Sequence, residues 1–128
     1  MSTERGYPDL HEHIKKLDDA GLLVTVDEPI DKDTEMHSLV RWQFVGGLKE
    51  SERKAFLFRN VVNAKGRKYD LPIVVGALAA NQDIYSVGMG VPVEEIGARW
   101  DHAIAHPIPP RIVEDAPCHE VIIEGADL

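Results

Sequence analysis

The sequence is poorest in cysteine. Cys118 is the single one among 128 residues, which excludes a disulfide framework or a cysteine-rich zinc site within one chain. Basic charge is also scarce: 14 Lys and Arg stand against 22 Asp and Glu, for a formal net charge of −8. Without a basic run the chain is a poor candidate for gripping phosphate backbones, so no nucleic-acid partner is expected. No apolar run approaches the ~18–20 residues of a membrane helix. The opening Met-Ser-Thr-Glu-Arg-Gly lacks the basic-then-apolar pattern of a secretory signal. The expectation is a soluble, cytoplasmic protein with no membrane partner. What is present is globular in composition, 44% hydrophobic with 28% charged, and its length suits one domain.

Along the chain, Asp9 to Ala20 reads as a helix capped by Asp9, with Glu12 three residues on and Leu10, Ile14 and Leu17 as its apolar stripe. Gly21 stops it, Leu22 to Val26 is a short strand, and Pro29 ends that strand for want of an amide. A second helix starts near Asp33 or Thr34, carries Met36, Leu39, Val40 and Phe44 at helical spacing, and breaks at Gly46-Gly47. Lys49 to Lys54 reads as a solvated loop, Ala55 to Val62 as a strand, and Asn63 to Gly66 as a turn. Leu71 to Leu78 is a further strand whose nearly unbroken apolar run suits a sheet covered on both faces. Asn81 caps a short helix through Tyr85 and Val87, interrupted by Gly88 and Gly90. Pro92 begins a helix to about His106, with Ile96, Trp100 and Ile104 along one side. Cys118 to Glu124 reads as a terminal strand.

The predicted order is α-β-α-β-β-α-α-β, an α/β fold with a layered mixed sheet and flanking helices. Residues 1–106 form the α/β domain, and 107–128 a Pro-rich connector with the terminal strand.

Six histidines invite a metal or acid–base reading. His11 and His13, two apart on a helix, point about 200° apart and cannot share a ligand. His102 and His106, at i and i+4, share a face but lack an obvious third ligand, so their default role is to complement the helix dipole. Cys118 and His119 point to opposite faces of their strand, and Glu120 and Glu124 stand about 13 Å apart on one face, too far for a glycosidase pair. The loop from Val75 to Ala80 lies where phosphates often bind, yet has a single glycine and no phosphate-loop pattern. Gly88-Met89-Gly90 reads as a hinge between helices. Trp42, Phe44 and Trp100 fall on helical patterns as core residues, and Arg41 and Arg99 as solvated side chains. No catalytic, cofactor-binding or metal-ligating residue is assigned within the chain.

The order of several segments resembles the N-terminal domain of the UbiD family of decarboxylases. Asp9-Leu10, Leu17 and Gly21 to Val26 are similar to its opening helix, glycine and strand. Glu28-Pro29-Ile30-Asp31 with Glu35 resembles its Glu-Pro-Val-Asp…Glu segment. Ala55 to Phe58 with Asn60-Val61, Leu71 to Gly76, and Ile84 to Gly90 resemble the next two strands and the short helix. Ala116 to Val121 and Gly125 to Leu128 resemble the approach to the flavin-binding core. Asn81-Gln82 stands where the family often has Ser-Arg, and 41–53 is longer and more polar than usual.

The resemblance implies interconversion of an aromatic or α,β-unsaturated carboxylic acid with its decarboxylated product and CO2. It implies prenylated FMN held with a divalent metal and potassium, on a core that follows this domain. The family's catalytic Glu-Arg-Glu set has no matching position here. Two origins fit an ending where that core should begin: a split enzyme of which this is the small subunit, or a detached or cut piece. The split enzyme is the preferred expectation, with a larger flavin-bearing UbiD-like subunit as partner. The alternatives are a stand-alone α/β binding or regulatory module and an independent enzyme of unknown type.

Overall fold

The computed structural model describes residues 9–110, 112–114, 121, 123 and 125. Its elements are α1 (Leu10–Asp19), β1 (Leu23–Val26), β2 (Ile30–Asp31), α2 (Met36–Val45), β3 (Ala55–Phe58), β4 (Val61–Val62), β5 (Lys68–Tyr69), β6 (Ile73–Val75), α3 (Gln82–Met89) and α4 (Ile96–Ala105). Two 3-10 turns, Glu50–Glu52 and Val93–Glu95, precede β3 and α4.

The strands form two three-stranded sheets, ordered β1-β3-β6 and β2-β4-β5, each with one parallel and one antiparallel pair. They are two halves of one ribbon. β1 continues into β2 and β3 into β4, and the pairing bridges the break through Arg59 N–H to Val26 O and Ile30 N–H to Asn60 O, both 3.0 Å. All three lines of chain are interrupted at the same level, at 27–29, 59–60 and 70–72. The outer two lines spend one more residue there than the central one, and both carry a proline, Pro29 and Pro72. A residue without an amide fits an edge line at a bend and not the middle of a ladder. The predicted strand Ala55 to Val62 is therefore two strands, and the predicted Leu71 to Leu78 shortens to three residues, because Gly76 turns left-handed at φ 77°.

Helices cover both faces of the ribbon. Leu17 and Leu22 with Ile84 of α3 pack on Ala55, Ala77 and Ala80. On the opposite face Met36 and Val40 of α2 pack on Ile30, Phe58 and Val61. β6 shows the two-residue period that links them: Val74 joins the first cluster, Ile73 and Val75 the second. Phe56 and Phe58, two apart on β3, stack at 5.8 Å between ring centroids.

The helix ends follow their sequence signals. Asp9 accepts from Glu12 N–H at 2.9 Å, and Asn81 accepts from Ile84 N–H at 2.7 Å. α2 begins later than predicted, at Met36, because Asp31 Oδ1 accepts from the amides of Asp33 and Thr34 and holds them in a turn. The predicted hinge at Gly88-Met89-Gly90 is corrected. Gly88 is inside α3, where a Cβ would lie 3.6 Å from the His13 ring, and Gly90 is the left-handed cap at φ 66°.

The predicted strand from Cys118 to Glu124 falls largely outside the described residues, as do Cys118, His119, Glu120 and Glu124. Val121 and Ile123, which are described, are exposed and belong to no strand. No described helix is long and apolar enough to cross a membrane.

Candidate functional site

Among the described residues three polar side chains are buried, and each ties a helix to a segment flanking the sheet. His13 is fully buried on α1, and its Nε2–H donates to the carbonyl of Ala77 at 2.6 Å. Gln43 on α2 brackets Lys54, accepting from its amide at 2.9 Å and donating to its carbonyl at 3.0 Å. Asn81 donates to the Arg53 carbonyl at 2.7 Å while capping α3. Such pairing offsets desolvation and fixes the registry of each helix. Sequence reasoning missed Gln43 and His13 as core residues, although both stand at helical spacing with the apolar stripes (Met36, Val40, Gln43; Leu10, His13, Leu17). The expected divergence of His11 and His13 holds: His11 is exposed and His13 buried.

In the loop from Val75 to Ala80, Ala77 and Ala80 are buried while Leu78 and Ala79 are exposed. A Cβ at Gly76 would come 3.2 Å from the Ala80 Cβ and 3.5 Å from the Lys54 carbonyl. The N-terminus of α3, where an anion would sit, already holds two acceptors. Besides Asn81, the Glu50 carboxylate accepts from Gln82 N–H at 2.5 Å. A carboxylate there repels a second anion.

Two cavities are lined by described residues. One, of about 320 Å³, lies between α1 and the sheet and is lined by Leu10, His11, Ile14, Leu57, Leu71, Pro72 and Val74. The other, of about 190 Å³, is lined by Lys32, Met36, His37, Val40 and Val75. Lys32 at its edge is engaged with Asp33 at 2.5 Å and lies over the Tyr69 ring. That contact raises Lys32 above, and lowers Asp33 below, their ordinary values, with an amide hydrogen bond from Ala64 also acting on Asp33. The residues lining these two cavities do not suit prenylated FMN. The larger cavity is apolar, the helix N-terminus next to the sheet is taken by Glu50, and no group of three or more His, Cys, Asp or Glu among the described residues is placed to hold its metal.

The aromatic residues expected in the core are at the surface. On α2 the buried arc is Met36, Val40 and Gln43, whereas Leu39, Trp42 and Val45 form an outer stripe, 42%, 56% and 68% exposed. Phe44 is exposed on the other flank, under the Arg53 guanidinium at 5.0 Å. On α4 no residue is buried; Trp100 is half-exposed, with its indole N–H donated to the Tyr85 hydroxyl, and Ile104 is exposed. Helical spacing finds an apolar arc but does not say which arc faces the sheet.

His102 and His106 come together as the spacing implied. Their rings stack 4.4 Å apart, and His106 Nδ1–H donates to the His102 carbonyl at 3.0 Å. His102 stands in the last turn of α4, and desolvation first, and then the His106 imidazole, hold it below the ordinary value.

These features define a layered α/β domain with a proline-bent mixed sheet, internally paired polar groups and apolar side chains left on its outer helix faces. Residues 14–104 match the 3-octaprenyl-4-hydroxybenzoate carboxy-lyase N-terminal domain. The match spans most of the chain, which belongs to this UbiD family of carboxy-lyases.

Proposed function

We propose that the chain is a small, non-catalytic subunit of a UbiD-type decarboxylase or carboxylase acting on an aromatic or α,β-unsaturated carboxylic acid in the cytoplasm. Catalysis, prenylated FMN, its divalent metal and potassium reside on a larger flavin-bearing partner. The observation that supports this reading most is the outer stripe of Leu39, Trp42 and Val45 on α2, on a domain of carboxy-lyase family. Large apolar side chains aligned away from a core of their own suit burial against another chain. The buried side chains of His13, Gln43 and Asn81, by contrast, serve to hold its helices.

The test is the native mass of the chain purified together with the products of its neighbouring genes, with an absorbance scan for flavin. A coloured complex larger than the chain itself is expected. The variants W42S and L39S should lower the amount of partner retained. A colourless monomer or homodimer under all conditions would replace this reading with a stand-alone α/β module.

A further inference from the structure

Among the described helices α4 stands apart from both hydrophobic clusters. Leu17, Met36, Val40 and Ile84 anchor α1, α2 and α3 in them, whereas no residue of α4 is buried. Its inner side is made of Ile96, Arg99 and His102, each only partly buried, while Trp100 and Ile104 are 47% and 73% exposed. It packs chiefly on α3 and on the 3-10 turn Val93–Glu95 that leads into it. The chain is held firmly only as far as Val91. Gly90, left-handed at φ 66°, donates its amide to the Ser86 carbonyl at 2.8 Å, and Ser86 Oγ donates to the Val91 carbonyl at 2.6 Å. Beyond that point the Trp100 indole N–H donates to the Tyr85 hydroxyl and ties α4 to α3. α4 has 10 residues, short of the ~12–15 at which an isolated helix is even marginal in water. Its helical shape therefore depends on lying against α3.

We propose that α4 is a latched strap. It releases from α3 and unravels as one unit, from Pro92 onward, while both core clusters stay intact, and the Trp100–Tyr85 hydrogen bond is the latch. Segments with few buried apolar contacts open at a much lower free energy than core elements. The closed form remains the major one, with the open form populated at roughly 0.1–10%. Release leaves the Tyr85 hydroxyl and the Trp100 indole N–H open to another molecule.

The experiment is residue-resolved amide hydrogen exchange by NMR on the full chain. The amides of 100–106, which close the turns of α4, should share one opening constant. That constant should exceed those of Tyr85 to Met89 in α3 by about tenfold or more. Y85F removes the acceptor of the latch and W100F its donor, and neither touches a core residue. Each should raise the opening constant of 100–106 by about fivefold. The amides of Leu17 and Ala55 should keep their protection in both variants. The double variant should open no more than either single one, since both remove the same bond. Equal opening constants in α3 and α4 overturn the proposal, as does the absence of any protection in α4. A gradient of protection falling steadily toward His106 would mean fraying from the helix end and also overturns it. Effects of Y85F and W100F that multiply in the double variant refute the latch.

Discussion

Asn81 offers the sharpest test of how the helices are held. Its side chain is 4% exposed and makes two bonds of opposite polarity. Oδ1 accepts from Ile84 N–H, and Nδ2 donates to the Arg53 carbonyl, each at 2.7 Å. N81A removes both. The lost cap costs about 1 kcal/mol, within a range of roughly 0.5–2. The lost donor costs about 1 kcal/mol more, since the Arg53 carbonyl is left partly desolvated. The sum, about 2 kcal/mol, lowers the melting temperature by about 8 °C in a domain of this size.

The conservative variants separate the two terms. N81S keeps an acceptor for Ile84 N–H and loses the donor, so it should lie about 1 kcal/mol below the parent. N81D also keeps the cap, but it sets a carboxylate against the Arg53 carbonyl and near the Glu50 carboxylate on Gln82 N–H. N81D should therefore fail to restore the parent stability despite being a good cap on an isolated helix. Urea unfolding followed by tryptophan fluorescence reads all three, since Trp100 is tied to Tyr85 of α3. N81A within about 0.5 kcal/mol of the parent, or N81D equal to it, would refute the two-bond account.

Gly76 and Gly66 have nearly the same left-handed φ, 77° and 76°, but a Cβ meets Ala80 at 3.2 Å at the first and open space at the second. G76A should thus cost about 1 kcal/mol more than G66A in urea unfolding, the difference being crowding and not backbone strain. Q43E keeps the acceptor for the Lys54 amide but loses the donor to its carbonyl, and burial pushes a carboxyl there above its unfolded value. Its deficit relative to the parent should grow as pH rises through the carboxylate range, as measured by melting temperature between about pH 4 and 7. Asp33 shifts the opposite way: the Lys32 hydrogen bond and then the Ala64 amide hold it below 3.8. A depressed carboxyl stabilises the fold above its unfolded value and ceases to do so as pH falls through the folded one. The gap between parent and D33N should therefore close below about pH 4, and a gap that persisted unchanged to pH 2 would contradict it.

The parts of this fold readable in the sequence were those with a dedicated chemical signal. Asp9 and Asn81 are caps because their short acceptors stand just before helical stripes, and both serve as caps in the structure. The paired His102 and His106 followed from helical geometry alone. Two-residue strands are different. β2, β4 and β5 contain too few positions to show a period, and their place is set by neighbours distant in sequence, such as Ile30 against Val61. Pro29 was read as an end, yet the chain resumes beside the same partner on its far side, because an edge line tolerates a missing amide. Gln43 was passed over since polarity argues for the surface. It enters the core because Lys54, on the segment leading into β3, presents both a donor and an acceptor to it.

The position of Trp42 turns this comparison into a statement about assembly. α2 is already anchored by Met36, Val40 and Gln43, and its opposite side carries Leu39, Trp42 and Val45. Trp42 also lies over Gly46, where a Cβ would collide with the indole at 2.6 Å, so the helix ends under its own outer stripe. Removing the stripe therefore takes little from the core: L39S and V45S should each change stability by less than about 0.5 kcal/mol. If the same variants abolish retention of a partner, folding and assembly reside on different arcs of one helix. If they unfold the domain instead, α2 draws its stability from the outer arc, and the stripe is part of the fold and not a surface kept for another chain.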